Sequence, residues 1–217
     1  MEKNLIARRI ADRIHIFDTL FYYNLTHRAR ESKAQTQNNE PYVLSDRCYN
    51  RVKKYTKGTN IFEKDFIIIP INKNGHWFAA VICYPSRDEF IEVIGKYPKR
   101  SCICFMDSTQ SAHSRCGLAA PLRHFLAKEW ESKKTTKKNF SESSMPEMYL
   151  KLPKQINDFD CGLYVLQNIE NFLINPDYLI ERICKDPAIN LGVWFSFSSV
   201  SSMRRTIKRL IERKSKN

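Results

Sequence analysis

Two short apolar runs joined by a tight turn constrain this chain more than any other feature. Asp65-Phe66-Ile67-Ile68-Ile69-Pro70 and Trp77-Phe78-Ala79-Ala80-Val81-Ile82-Cys83-Tyr84 are continuous, rich in β-branched and aromatic residues, and separated by Asn72-Lys73-Asn74-Gly75. Runs of that length and composition fit strands, and Asn-Gly is strong hairpin chemistry because both residues tolerate positive φ. The pattern predicts a hairpin of well-buried strands. A third run, Cys102-Ile103-Cys104-Phe105-Met106, has the same character and stops where Asp107-Ser108-Thr109 turns polar.

Helical patterns surround these strands. In residues 2–25, Leu5, Ile6, Ile10, Ile14, Phe17, Leu20, Phe21 and Leu25 recur mostly at spacings of three and four, the mark of a helix with one buried stripe, broken near Ile16 and Phe17. Residues 27–41 lack apolar side chains almost entirely and read as a polar surface loop. A helix starts at Ser45 or Asp46 and runs to the Gly58 break, and another covers 118–133, followed by a basic, Ser/Thr-rich connection over 133–146. After Cys161, the residues Leu163, Leu166, Ile169, Phe172 and Leu173 place one apolar face on a helix that ends before Asn175-Pro176, with Asp160 as its N-cap. Residues 203–214 carry Ile207, Leu210 and Ile211 on one face and basic residues on the other, a terminal helix expected to pack on the domain. The reading is α+β, with a central mixed or antiparallel sheet flanked by helices. With 217 residues, 42% of them hydrophobic, the chain can bury one core, so a single domain is expected.

Charge and cysteine content narrow the setting. The sequence has no apolar run of membrane-spanning length and no signal-like start, so no membrane role is expected and an intracellular, soluble chain is. Seven cysteines without a CxxC spacing point to reduced thiols. The net charge of +13 attracts acidic partners from a distance without saying which.

The stretch Gln155-Ile156-Asn157-Asp158-Phe159-Asp160-Cys161-Gly162 turns from polar to apolar at a single thiol. A free cysteine is ordinarily a small buried hydrophobe. At a helix start, however, it faces unpaired N–H groups and the positive end of the dipole, which favour a thiolate, and the following glycine lets a substrate backbone come close. Nucleophilic catalysis then needs a base and a group that orients the base. His76 follows the Asn74-Gly75 turn and opens a strand, whereas His15, His27, His113 and His124 sit in helical or loop contexts. Asp107 interrupts an apolar run at the end of another strand. Taken together, His76, Asp107 and Cys161 have the makings of a Cys-His-Asp triad.

The segments Asn60-Ile61-Phe62-Glu63-Lys64-Asp65-Phe66, Asn74-Gly75-His76-Trp77-Phe78-Ala79-Ala80-Val81, Met106-Asp107-Ser108 and Gln155-x-Asn157-x-x-Asp160-Cys161-Gly162 resemble the sentrin-specific (SUMO-specific) cysteine proteases of the ubiquitin-like-protein-processing family, closest to its chain-editing branch. The resemblance spans roughly residues 14–215 in the order His, Asp, Cys. It implies the ubiquitin-like-protease fold, with Cys161 as nucleophile, His76 as general base and Asp107 as its orienting carboxylate. It also implies Gln155 as oxyanion-hole donor and Trp77 as the lid over a diglycine tail. Implied too are SUMO-like modifiers and SUMO-conjugated proteins or chains as partners, no cofactor or metal, no need for nucleic acid, a monomer, and nuclear or also cytoplasmic residence. Family domains normally open with a further strand and helix, so the chain is expected to be N-terminally shortened. Kept open beside this are a protease or acyltransferase for another ubiquitin-like modifier, a catalytically silent basic binding module, and a zinc site from Cys102, Cys104, His113, Cys116 and His124, whose spacings fit no zinc pattern.

Overall fold

The computed structural model describes residues 10–27, 46–87, 100–109 and 117–215. The predicted hairpin is its centre: β2 (Phe66–Lys73) and β3 (His76–Cys83) are antiparallel, with Asn74 and Gly75 at φ of 54° and 80°. Two consecutive positive φ values make the turn that continues the twist of the strands, which is why Asn-Gly stands there. β4 (Cys102–Met106) pairs antiparallel to β3.

Short strands complete the sheet on both sides, giving the order β1-β2-β3-β4-β5. β1 (Ile14–Ile16) lies parallel to β2, and β5 (Glu147–Tyr149) parallel to β4. Residues 14–16 were expected within a broken helix. They extend instead because Phe66, Ile67 and Ile68 offer an open strand edge, and the helix resumes as α1 (Phe21–Thr26). His15 therefore stands on a strand, its ring edge-on to Phe17 at 4.6 Å.

The mixed sheet is buried on both faces, as continuous apolar strands require. One face packs Phe78, Ala80, Ile82, Ile103 and Phe105 against α1, α2 (Asp46–Val52) and α3 (Ala119–Lys133). The other face packs Ala79, Val81, Cys83, Cys102, Cys104 and Met106 against α4 (Cys161–Ile174) and α5 (Pro176–Lys185). Alternation along each strand divides the side chains between the two cores. A charged cluster closes the edge near β1, where the Arg13 guanidinium meets Asp65 at 2.6 Å and Asp177 at 2.8 Å, and the Tyr84 hydroxyl donates to Asp177.

The last helix, α6 (Phe197–Lys214), is longer than the predicted 203–214 and packs against α4. Its expected apolar face is buried only at the start: Val200 is covered and Ile207, on the same face, is half-buried, whereas Leu210 and Ile211 are exposed. Packing is confined to its first turns. The basic run that follows α3 is partly structural, since Lys133 is ion-paired to Glu129 and Lys138 lies over the Trp130 and Phe140 rings. Of the polar loop at 27–41, positions 28–41 lie outside the described residues. Among the described residues no helix is long and apolar enough to cross a membrane.

Candidate active site

The hairpin turn and the end of β4 bring two of the anticipated residues together. His76 is the first residue of β3, Asp107 follows the last residue of β4, and Ala79 pairs with Met106, so both reach the same end of adjacent strands. His76 Nε2 lies 2.7 Å from Asp107 Oδ1. The backbone N–H and hydroxyl of Thr109 donate to that same oxygen at 2.9 and 2.8 Å. Burial alone would raise the Asp107 pKa, but the bonds from His76 and Thr109 outweigh it and hold the carboxyl below its ordinary value. An ionised Asp107 accepts a hydrogen bond from Nε2–H, which leaves Nδ1 as the basic nitrogen of the neutral ring.

Cys161 is the first residue of α4 and is 6% exposed. Asn157 delivers it: its Oδ1 accepts from the backbone N–H groups of Phe159 at 3.2 Å and Asp160 at 2.9 Å, a local turn that aims the chain into the helix. Asp160 does not cap the helix with its side chain as expected. Its buried carboxylate is claimed by Asn157 Nδ2 at 2.9 Å and by the Arg204 guanidinium of α6, and these charge-assisted bonds displace the cap.

Gln155 ties this loop to the residue beside Asp107. Its backbone N–H donates to the Ser108 carbonyl at 3.1 Å, its Oε1 accepts from Ser108 Oγ at 2.5 Å, and its Nε2 donates to the Asn157 carbonyl at 2.5 Å. An amide nitrogen has two hydrogens, so one N–H remains to donate elsewhere. No hydrogen bond joins Cys161 to His76 among the described residues.

Trp77 falls on the α4 side of β3 and is partly buried against that core. A Cβ built on Gly162 would stand 3.9 Å from the Trp77 ring, so the indole runs along the start of α4 beside Cys161. Ile156 and Phe159, each 75% exposed, border the same loop. The site thus holds an imidazole–carboxylate pair at the strand ends and a thiol at the start of α4. The sequence pointed to Ser108 and Thr109 only as a strand end, and nothing near Cys161 in sequence marked Arg204, 44 residues from its partner.

The zinc set weighed from sequence is divided by the sheet. Cys102 and Cys104 face α4 and α5, His124 sits on α3 over the opposite face, and His113 and Cys116 lie outside the described residues.

Residues 1–191 match the model of the Ulp1 protease family, C-terminal catalytic domain. Human sentrin-specific protease 7 is 30% identical over 261 residues, covering 96% of this chain and 24% of that protein. The probable ubiquitin-like-specific protease 2A of Arabidopsis thaliana is 33% identical over 219 residues, 96% of this chain and 26% of that protein. The chain thus spans about a quarter of the length of these curated relatives. Among solved structures, that of a de-sumoylating protease shares the fold at a TM-score of 0.61 and 24% identity, covering 98% of this chain and 72% of that one. The C-terminal protease domain of Ulp1 in complex with SMT3, the yeast ortholog of SUMO, shares it at a TM-score of 0.55 and 20% identity, covering 95% and 72% respectively.

Proposed function

Because the chain belongs to the Ulp1 protease family, a family of cysteine proteases, we propose that it is a SUMO-specific cysteine isopeptidase that removes or trims SUMO-like modifiers from lysines. The observation that carries this reading is the His76–Asp107 bond, made at the strand ends from which Ser108 and Gln155 lead to the helix that begins at Cys161.

His76 Nδ1 takes the thiol proton, and Cys161 Sγ attacks the carbonyl carbon of the modifier's C-terminal glycine. Negative charge develops on the carbonyl oxygen, where the remaining Gln155 N–H and the Cys161 backbone N–H donate. The intermediate collapses as His76 returns the proton to the departing lysine amine, leaving a thioester on Cys161. Water, deprotonated by His76, attacks that thioester and releases the free carboxylate and the thiol. Asp107 holds the ring with Nδ1 forward and stabilises the imidazolium between these steps. Trp77 beside Gly162 narrows the approach, so a side chain near the scissile bond is excluded and a diglycine tail is admitted. No step calls for a metal or cofactor. We further propose that the chain works as a monomer in the nucleus, its charge of +13 drawing acidic partners there.

The test is a SUMO carrying a thiol-reactive C-terminal warhead, beside the ubiquitin equivalent and the Cys161→Ala variant, read by intact mass. An adduct with SUMO alone that the variant lacks is the expected result. An adduct with ubiquitin alone reassigns the modifier, and none from folded protein overturns the enzymatic reading.

A further inference from the structure

Three cysteines that the catalytic reading does not use converge in the core between the sheet and α5. Cys83 is the last residue of β3 and pairs directly with Cys102, the first of β4. Cys104 lies two residues on, on the same face of the strand. All three are fully buried, and their sulfurs lie within 4.8 Å of one another, with Cys102 Sγ 3.8 Å from Cys104 Sγ. A core needs only apolar volume at such positions, which Val or Ala supplies. Converging sulfurs are also a soft donor set. A tetrahedral thiolate site with metal–sulfur bonds of about 2.3 Å sets its sulfurs about 3.8 Å apart, which is the spacing already present between Cys102 and Cys104.

A fourth cysteine lies on the helix that packs against them. Cys184, half-buried on α5, packs against the same core but lies outside the group of three sulfurs that stand within 4.8 Å of one another. Cys184 also offers the way in, being the sulfur of the set nearest solvent. Among the described residues no imidazole or carboxylate belongs to the cluster, which disfavours hard cations and suits ions of the d10 class.

We propose that Cys83, Cys102 and Cys104 form a site for one thiophilic d10 cation, Cu+ or Zn2+, and that Zn2+ draws in Cys184 from the adjacent helix as its fourth ligand. Binding exchanges each S–H bond for a sulfur–metal bond and releases one proton to solvent per thiolate, with no change of oxidation state. Zn2+ takes all four sulfurs, whereas Cu+ is satisfied by the three buried ones. His76 and Cys83 occupy opposite ends of β3, about 23 Å apart at roughly 3.3 Å per residue, so the ion would brace the sheet against α5 and take no part in catalysis.

The test uses the 217-residue chain carrying Cys161→Ala, which removes the active-site thiol as a competing ligand. It is refolded anaerobically under reducing conditions with Zn2+, Cu+ or a chelator. After gel filtration, metal is counted by elemental analysis and native mass, and Tm is measured. One equivalent per chain and a higher Tm than the chelator-treated sample are expected. Cys184→Ala is expected to lose the Zn2+ equivalent and keep Cu+, and Cys102→Ala/Cys104→Ala to lose both. Metal well below one equivalent with an unchanged Tm overturns the site, as does equal loading of the double variant. Should the double variant not fold, Co2+ titration of the parent decides: a thiolate-to-cobalt charge-transfer band supports the site, and its absence sinks it.

Discussion

Arg204 of the last helix is ion-paired with Asp160, the residue immediately before Cys161. Asp160 is nearly buried and Arg204 is 59% exposed, so the bond anchors the loop more than it stabilises the fold. Solvent screening keeps such a half-exposed pair to about 1 kcal/mol or less. Arg204→Gln is therefore predicted to lower Tm by no more than about 2–4 °C. It leaves a buried carboxylate held by Asn157 alone, and capture of the SUMO warhead slows several-fold. An unchanged capture rate would reduce Arg204 to a surface anchor.

Asp107 ties stability to pH. A carboxyl held below its ordinary value contributes stability that is fully present above the unfolded value, near 3.9, and is lost as pH falls through the still lower folded value. Thermal melts of the parent and Asp107→Asn are thus predicted to differ most at neutral pH and to converge below about pH 3.9. At neutral pH the same variant loses roughly 10⁴ in turnover, because an amide no longer selects the tautomer with Nδ1 free. A constant Tm gap down to the acid limit would show that the carboxylate is not what His76 and Thr109 stabilise.

Why some of this was legible in sequence is a matter of range. The hairpin was readable because Asn74-Gly75 encodes its own positive φ values, and Cys161 at a helix start because the polar-to-apolar switch is local. β1 and β5 were missed because three residues carry no periodicity, and both form only by pairing with a longer neighbour. The end of α4 before Asn175-Pro176 was readable, whereas α5, which begins at that Pro176, was not anticipated. The Asp160 cap failed for the same reason that Arg204 stayed hidden: a partner 44 residues away outbid the helix N–H groups. The sulfur cluster joins strands whose register no spacing reveals.

Gln155 and Ser108 are predicted to separate cleanly by mutation. Gln155→Ala removes a donor to the developing oxyanion and is expected to cost about 10²–10³ in turnover. Ser108→Ala leaves the donor in place but frees Oε1, so the amide loses its fixed orientation. Its cost falls between that of Gln155→Ala and none. Steady-state cleavage of a SUMO fusion measures both, and equal losses in the two variants would mean that Gln155 acts through loop geometry alone.

Gly162→Ala tests the channel without disturbing the core. The new methyl would meet Trp77 at 3.9 Å, an ordinary contact, and Gly162 is not at positive φ, so the backbone accepts it. Alanine inside a helix is favoured over glycine by up to about 1 kcal/mol, and Tm is expected to hold or rise by about 2–4 °C. Activity moves the other way, because the methyl projects beside the indole where the diglycine tail has to pass. The parallel readouts are thermal melting and the KM and kcat for a SUMO fusion. Higher stability with lost turnover locates the tail between Trp77 and the start of α4. Full activity in the stabilised variant would place the tail elsewhere and leave Trp77 as a core residue.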